Sequence, residues 1–297
     1  IMKKNSEDAN VSIFIFSDTT ADYPADAPRK DVEILPMAVR IGNDEYDNIN
    51  SFITAKEFYT RMRGGEMGNT SMVQPFLAQE RFEEKLKAGY DVFYLAFSSA
   101  LSGTYAGCAR VAKELAEKYP ERKIIAVDSL NASMGEGLLL WYTVKKRDEG
   151  ASFEELCEYV KYLVEKGVAL FTVDDLTHLA RLGRCSKASA MIGTLMNIKP
   201  VLHVDEQGRL MPYAKVMSRK KALKALVDGM EERMLPASEQ KKVYIGHGDC
   251  LDDANLVKKM IQYRFGIEDV EVGDIGPVIG THTNAGVVAL FFHGNSK

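Results

Sequence analysis

Short apolar runs alternate with amphipathic stretches along the first half of the chain. Val11–Phe16 and Val92–Phe97 are near-continuous apolar runs of strand length, and Val32–Ile41 and Lys123–Val127 read as two further strands. Between them lie helix signatures. Thr54, with Glu57 three residues on, has the capping-box spacing and opens a helix to Arg63, where Gly64-Gly65 ends it. Asn69-Thr70-Ser71 reads as a polar loop before Pro75, a residue suited to the first turn of a helix reaching Ala88. Amphipathic helices are expected from Gly103 to Tyr119 and from Met134 to about Lys146. Ser152 and Glu155 form a second capping box, opening a helix to about Lys166.

This rhythm predicts an α/β fold, with a mostly parallel sheet covered by helices on both faces. Gly167 breaks the pattern, and a second set of elements follows. It comprises a strand at Val168–Val173, a hairpin over Val201–Val216 around Asp205–Gly208, and a helix over Lys220–Met234. Strands near Val243–Gly246, Val270–Val272 and Val287–Phe292, and a helix over Asp252–Arg264, complete it. The reading is an N-terminal α/β domain over residues 1–165 and a smaller C-terminal α/β domain over 166–297, with a ligand at their interface. The 297 residues are enough for two ordinary domains.

A formal net charge of −4 leaves no basic footprint, so nucleic acid is not the expected partner. The longest apolar runs, such as Gly286–Phe292, are too short to cross a bilayer, so membrane contact is expected to be transient and at the surface. No signal-peptide pattern follows Met2. Cys108, Cys157, Cys185 and Cys250 are far apart, with neither metal-ligand nor disulfide-framework spacing. Cys108 and Cys157 are expected as buried free thiols in helices. This usage fits a cytoplasmic protein without metal or cofactor.

The richest candidate chemistry lies at Ser98-Ser99-Ala100-Leu101-Ser102-Gly103-Thr104-Tyr105, between a predicted strand and a predicted helix. Such a corner aims free backbone N–H groups and a positive dipole end at an anion. It carries hydroxyls in place of a phosphate-loop lysine, which points to a small, singly charged group such as a carboxylate. In open parallel sheets ligands bind outside the carboxyl ends of the strands. Thr19, Thr20, Ser71, Asp128 and Ser129 lie near that edge. From the residues alone, Ser102 reads equally as a helix cap or a ligand contact, and Thr70 as a turn residue. His282, between apolar strands, reads first as structural, and Arg181 and Arg184 as surface charges. No Gly-x-x-x-x-Gly-Lys loop and no Gly-x-Gly-x-x-Gly motif supports a nucleotide site. A serine hydrolase using Ser98 or Ser102 with His282 and an aspartate is the alternative reading, but no Gly-x-Ser-x-Gly elbow is present.

Together these loops resemble one family. Ser17-Asp18-Thr19-Thr20-Ala21-Asp22, Thr70-Ser71-Met72, Ser98–Tyr105, Asp128-Ser129 with Ser133-Met134-Gly135, Leu179–Arg184, Lys199-Pro200, Arg219–Ala222 and Gly280-Thr281-His282 are similar, in order, to motifs of the DegV family. The resemblance implies a two-domain α/β protein that binds a long-chain fatty acid between its domains. It implies presentation of that ligand to a bacterial fatty acid kinase, with no catalysis by the binding protein. It assigns the carboxylate to Thr70, Ser102 and His282. Ser71, Ser98, Thr19, Thr20, Ser129 and Thr281 would stand behind them, and Arg181 and Arg184 would meet the kinase. An acyl chain gains about 0.8 kcal/mol per buried CH₂, so tail burial in an apolar tunnel would dominate affinity. Two segments depart from the pattern. The family's His-x-Gly-Pro-Gly is His282-Thr283-Asn284-Ala285-Gly286, and Leu182 stands where glycine is usual. The first change is expected to alter the backbone after His282, and the second the arginine turn.

Overall fold

The structure is a computed structural model describing residues 12–185, 198–295 and 297. Val11 and the segment after Met2, both read above from sequence, lie outside the described residues. The first half runs β1 (Ile13–Asp18), a 3₁₀ turn (Thr19–Ala21), β2 (Val32–Leu35), β3 (Val39–Ile41), β4 (Asp44–Tyr46), α1 (Ala55–Arg63), β5 (Gly68–Thr70), α2 (Pro75–Lys87), β6 (Asp91–Ala96), α3 (Thr104–Lys118), β7 (Ile124–Asp128), α4 (Met134–Asp148) and α5 (Phe153–Lys166). The second runs β8 (Gly167–Thr172), α6 (Thr177–Arg181), β9 (Ile198–Val204), β10 (Leu210–Met217), α7 (Arg219–Arg233), a 3₁₀ turn (Ala237–Glu239), β11 (Val243–His247), α8 (Leu251–Phe265), β12 (Val270–Asp274), α9 (Pro277–Thr283) and β13 (Val288–His293).

The expected parallel sheet is present, in the order β2-β1-β6-β7 with every pairing parallel. A six-stranded sheet, β10-β9-β8-β13-β11-β12, uses only residues from 167 onward and is antiparallel except for β11–β12. Both capping boxes form as the sequence predicts, on Thr54/Glu57 and Ser152/Glu155.

Three expectations need correction. Val32–Ile41 is two strands in different sheets, because Pro36 lies between them and cannot donate to a ladder. Thr70 lies on β5, a three-residue strand that pairs with β3 in the small sheet β4-β3-β5, and not in a loop. His282 lies in the last turn of the short helix α9, and not in a strand connection.

Helices and sheets stack in layers. Phe16, Tyr94 and Ala96 of the parallel sheet pack with Phe82 of α2 and Cys108 and Val111 of α3. On the opposite face, Ile15, Phe93 and Leu95 share one core with Leu138–Leu140 of α4, Leu156 and Val160 of α5, and Ala169, Phe171 and Phe291 of the second sheet. Leu170, Leu290 and Phe292 face the other way, onto Leu226 of α7 and Val257 of α8. Thus α4 and α5 fill the space between the two sheets. Gly135 and Gly137 permit this closeness. A Cβ at Gly137 would lie 2.4 Å from the Ala21 carbonyl, and one at Gly135 would lie 2.7 Å from the Phe291 ring. Cys108 is buried as expected, whereas Cys157 is only half-buried.

Candidate functional site

Between the two sheets lies a cavity of about 60 Å³, walled by Phe97, Leu101, Phe171, Val204, Ile279 and Phe291 among others. A water needs roughly 10–15 Å³ of such space and two to four polar partners. The apolar walls offer few partners, so the space suits hydrocarbon better than water. Polar groups enter the wall chiefly through Ser133, Arg184, His282 and Thr283.

His282 is held by the second half of the chain and Thr70 by the first. Thr70 Oγ1 and His282 Nε2 are 3.1 Å apart, a hydrogen bond across the junction. Pro277 at the first turn starts α9. The helix ends at Asn284, whose N–H returns to the Gly280 carbonyl at 2.8 Å. Burial, then the positive charges of Arg184 and Arg181, hold the His282 pKa down to about 4. The imidazole is therefore neutral at neutral pH. Its other nitrogen, Nδ1, is buried with no hydrogen-bond partner among the described residues. Most buried polar atoms have a partner, and His282 Nδ1 is one of the few among the described residues that lack one.

The two departures from the family pattern have local answers. Asn284 stands at φ 66° and ψ 176°, a backbone region that is nearly glycine-only. Asparagine thus holds a strained conformation that glycine would take freely, and α9 keeps its end. Leu182 has φ −92°, and the left-handed residue of that turn is Gly183 at φ 73°. Leu182 needs no glycine. The turn keeps both arginines near the junction. Arg181 donates to the Gly68 carbonyl at 2.9 Å, and Arg184 Nε donates to the Leu101 carbonyl at 3.0 Å. These are bonds to the first half of the chain, where the sequence alone read free surface charges.

The serine corner is more structural than expected. Gly103 is the residue before α3, and its φ −73° and ψ −2° are already helical, so Ser102 acts as the cap in effect. Its hydroxyl oxygen accepts the Thr104 N–H at 3.2 Å and lies 3.0 Å from Thr104 Oγ1. No hydrogen bond joins Ser102 to Thr70 or His282 among the described residues. Ser98 is fully buried and donates to the Gly208 carbonyl of the β9–β10 hairpin at 2.9 Å, tying the two halves together. Neither serine is bonded to His282, as a nucleophile and its base would be.

The other candidates also brace the backbone. Ser71 Oγ accepts the Ala38 N–H, and Thr19 Oγ1 accepts the Met37 N–H, each at 3.0 Å. Ser129 donates to the Asn131 carbonyl and Thr281 to the Pro277 carbonyl. Asp128 accepts the Ser99 and Leu130 N–H groups. Thr20 Oγ1 bridges Asp18 and Glu136, with one proton to share between the two contacts.

That last contact belongs to a carboxyl network the sequence did not disclose. Asp18 and Glu136 are fully buried, and burial raises both their pKa values, Glu136 well above the usual range. The Ser17 and Thr20 hydroxyls lie 3.0 and 2.9 Å from the Glu136 carboxyl, and Tyr94 and the Phe97 N–H donate to Asp18. Asp22 continues the network toward the cavity. It accepts from Ser133 Oγ at 2.5 Å and from the Gly276 N–H, just before α9, at 2.9 Å. Burial raises its pKa to about 7 against the pull of those two donors. The only sequence hint was the density of Asp, Ser and Thr at the end of β1.

Among the described residues no group of three His, Cys, Asp or Glu side chains could hold a metal ion, and no helix is long and apolar enough to cross a membrane.

The sequence pattern of the DegV family, described as uncharacterised proteins, matches residues 12–295. The chain belongs to the DegV family. Among its relatives is a DegV domain-containing protein of Clostridium perfringens, 42% identical over 285 residues, covering 95% of this chain and 98% of that one. Another, from Lactococcus lactis, is 37% identical and covers 93% and 96%. The DegV fold is also evident in solved structures. A fatty acid-binding DegV family protein from Streptococcus agalactiae is 27% identical with a TM-score of 0.84, covering 96% of this chain and all of that one. A DegV family protein from Thermus thermophilus, described for its fatty acid binding, is 27% identical with a TM-score of 0.83 over 96% of this chain and 100% of its own.

Proposed function

We infer that this DegV protein binds one long-chain fatty acid, with its tail in the cavity between the sheets and its carboxylate at the Thr70–His282 pair. The observation that carries the reading is the meeting of an apolar cavity with a buried, neutral, half-satisfied histidine at its wall. With Thr70 donating to Nε2, the imidazole proton resides on Nδ1, which becomes a free donor for a carboxylate oxygen. The N–H groups opening α3, with Ser102, supply a weak positive end nearby. Relatives of 27% identity described as fatty acid-binding support the same ligand class. In this reading the ligand lies between a domain of residues 1–165 and one of 166–297; the passage of α5 into β8 at Gly167 supports a boundary there.

The second step is presentation to a fatty acid kinase, which transfers the terminal phosphoryl group of a nucleoside triphosphate to the carboxylate oxygen, giving an acyl phosphate and releasing the nucleoside diphosphate. Thr70 supports this geometry. Besides meeting His282, it lines an outer polar cleft with Arg40, Asn69 and Ser71, so the carboxylate end lies close to solvent. Arg181 and Arg184, which flank that end, are the candidate kinase contacts. Thr19, Thr20, Ser71, Ser98, Ser129 and Thr281 position the backbone around the ligand.

The test is mass spectrometry of lipid extracted from the purified protein, followed by kinase-coupled phosphorylation. A stoichiometric long-chain fatty acid is expected, with T70V and S102A impairing phosphorylation more than lipid retention. Absence of any acyl lipid after incubation with fatty acids would refute the reading. Labelling of Ser98 or Ser102 by a fluorophosphonate probe would instead favour the hydrolase alternative.

A further inference from the structure

Away from the acyl cavity, a separate pocket of about 180 Å³ is lined by Tyr142, Lys145, Lys146, Glu149, Tyr159 and Lys241. It shares no lining residue with the acyl cavity. Tyr142 stands nine residues along α4 from Ser133, about 14 Å at 1.5 Å per residue. Its cations come from distant parts of the sequence: Lys145 and Lys146 end α4, and Lys241 precedes β11. None of the three forms an ion pair with a described residue. Their neighbour Lys242, by contrast, is satisfied by Asp269 and Glu271. In a chain of net charge −4, three unpaired lysines in one concavity need an explanation.

Lysines at the end of α4 complement its dipole. That accounts for Lys145 and Lys146 but not for Lys241. Nor does it account for how the two are held. Lys145 Nζ lies 4.6 Å from the Trp141 ring centroid, and Lys146 Nζ lies 5.5 Å from that of Tyr159. Cation–π contacts restrict both long side chains, so less entropy is lost when they bind an anion. The Tyr142 hydroxyl also lines the pocket and carries an O–H that can donate to a ligand. Two phenols, three ammonium groups and one carboxylate thus converge.

We propose that this pocket binds a phosphate monoester. Three ammonium groups suit a dianion better than a carboxylate, and the tyrosine hydroxyls donate to the remaining phosphoryl oxygens. Glu149 is the one acceptor, and it selects an organic part carrying a hydroxyl group. A free phosphorylated metabolite and the headgroup of phosphatidic acid both offer this phosphate chemistry.

Calorimetric titration of the full-length protein with glycerol 3-phosphate and with inorganic phosphate tests the site, alongside flotation with vesicles of phosphatidylcholine with or without phosphatidic acid. Saturable binding is expected to one source. It should weaken roughly ten-fold in K241Q and in K145Q and stay unchanged in K113Q, a solvent-exposed control on α3. Binding confined to glycerol 3-phosphate identifies a soluble ligand, and flotation only with phosphatidic acid identifies a lipid headgroup. No saturable binding to any of these probes, or binding that K241Q leaves unchanged, overturns the proposal. All substituted lysines are on the surface, and unchanged thermal transitions would show that the variants fold.

Discussion

Thr70 and His282, 212 residues apart in the chain, meet at 3.1 Å where the small N-terminal sheet touches α9. One belongs to a three-residue strand and the other to a seven-residue helix, so neither element is stable alone. Each is positioned by the junction. Replacing Thr70 with Val removes the bond to Nε2 and leaves both imidazole nitrogens without a partner. Fatty acid affinity is expected to fall about three- to ten-fold, as for one net hydrogen bond of roughly 1 kcal/mol. Affinity for the corresponding methyl ester should barely change. Displacement titrations with both ligands separate loss of the carboxylate contact from general damage.

His282 also sets a pH dependence. Its folded pKa is about 4, below the unfolded value of 6.5, so the unfolded chain binds more protons between those values. Stability therefore falls as pH drops through this window, by up to about 3 kcal/mol for this group at 1.36 kcal/mol per unit. The H282Q variant should lose less stability than wild type between pH 6.5 and pH 4.5. Urea midpoints across that range provide the check, and parallel curves would count against the burial of a neutral ring.

Asp22 has the opposite sign. Its folded pKa of about 7 lies above the unfolded value near 3.8, so the folded chain holds the extra proton. Stability from this group is present at low pH and declines as pH rises toward 7. D22N keeps an acceptor for the Gly276 N–H and a neutral partner for Ser133. It should therefore gain on wild type as pH rises from 5 to 8. D22A leaves the Gly276 N–H unpaired and should cost about 2 kcal/mol at pH 5, and less as pH rises toward 8.

Asn284 offers a test of strain. Glycine there relieves a conformation that asparagine adopts at a cost of order 1–3 kcal/mol, part of which is offset by greater freedom in the unfolded chain. N284G is expected to stabilise by about 1 kcal/mol, and N284A to destabilise. Urea denaturation of both variants measures this. Destabilisation by glycine would contradict the strained backbone assigned to the end of α9.

Periodicity and caps revealed most of the fold because they are local. The Thr54 and Ser152 boxes, the apolar run Val92–Phe97 and the hairpin around Asp205–Gly208 all form near the expected positions. What failed depended on partners far away. Gly68–Thr70 carries no strand signal, and only its pairing with Val39–Ile41 makes it one. The helix at His282 starts at Gly276-Pro277, and its seven residues are too few for periodicity to register. Thr70 and His282 emerged from family resemblance, since polar residues in short segments carry no pattern of their own. The burial of Asp18, Asp22 and Glu136 was invisible, because a carboxyl group shows its environment only once the fold surrounds it. Ser102 was legible as a cap, and its effect on a ligand remains a matter for the T70V and S102A comparison.

The most direct measurement is displacement of a fluorescent fatty acid analogue from delipidated protein by unlabelled long-chain fatty acids. The account predicts saturable binding of one analogue per chain. Displacement should strengthen with chain length, because each added CH₂ contributes about 0.8 kcal/mol when buried. A protein that binds no analogue, or whose bound analogue no long-chain fatty acid displaces, would contradict it.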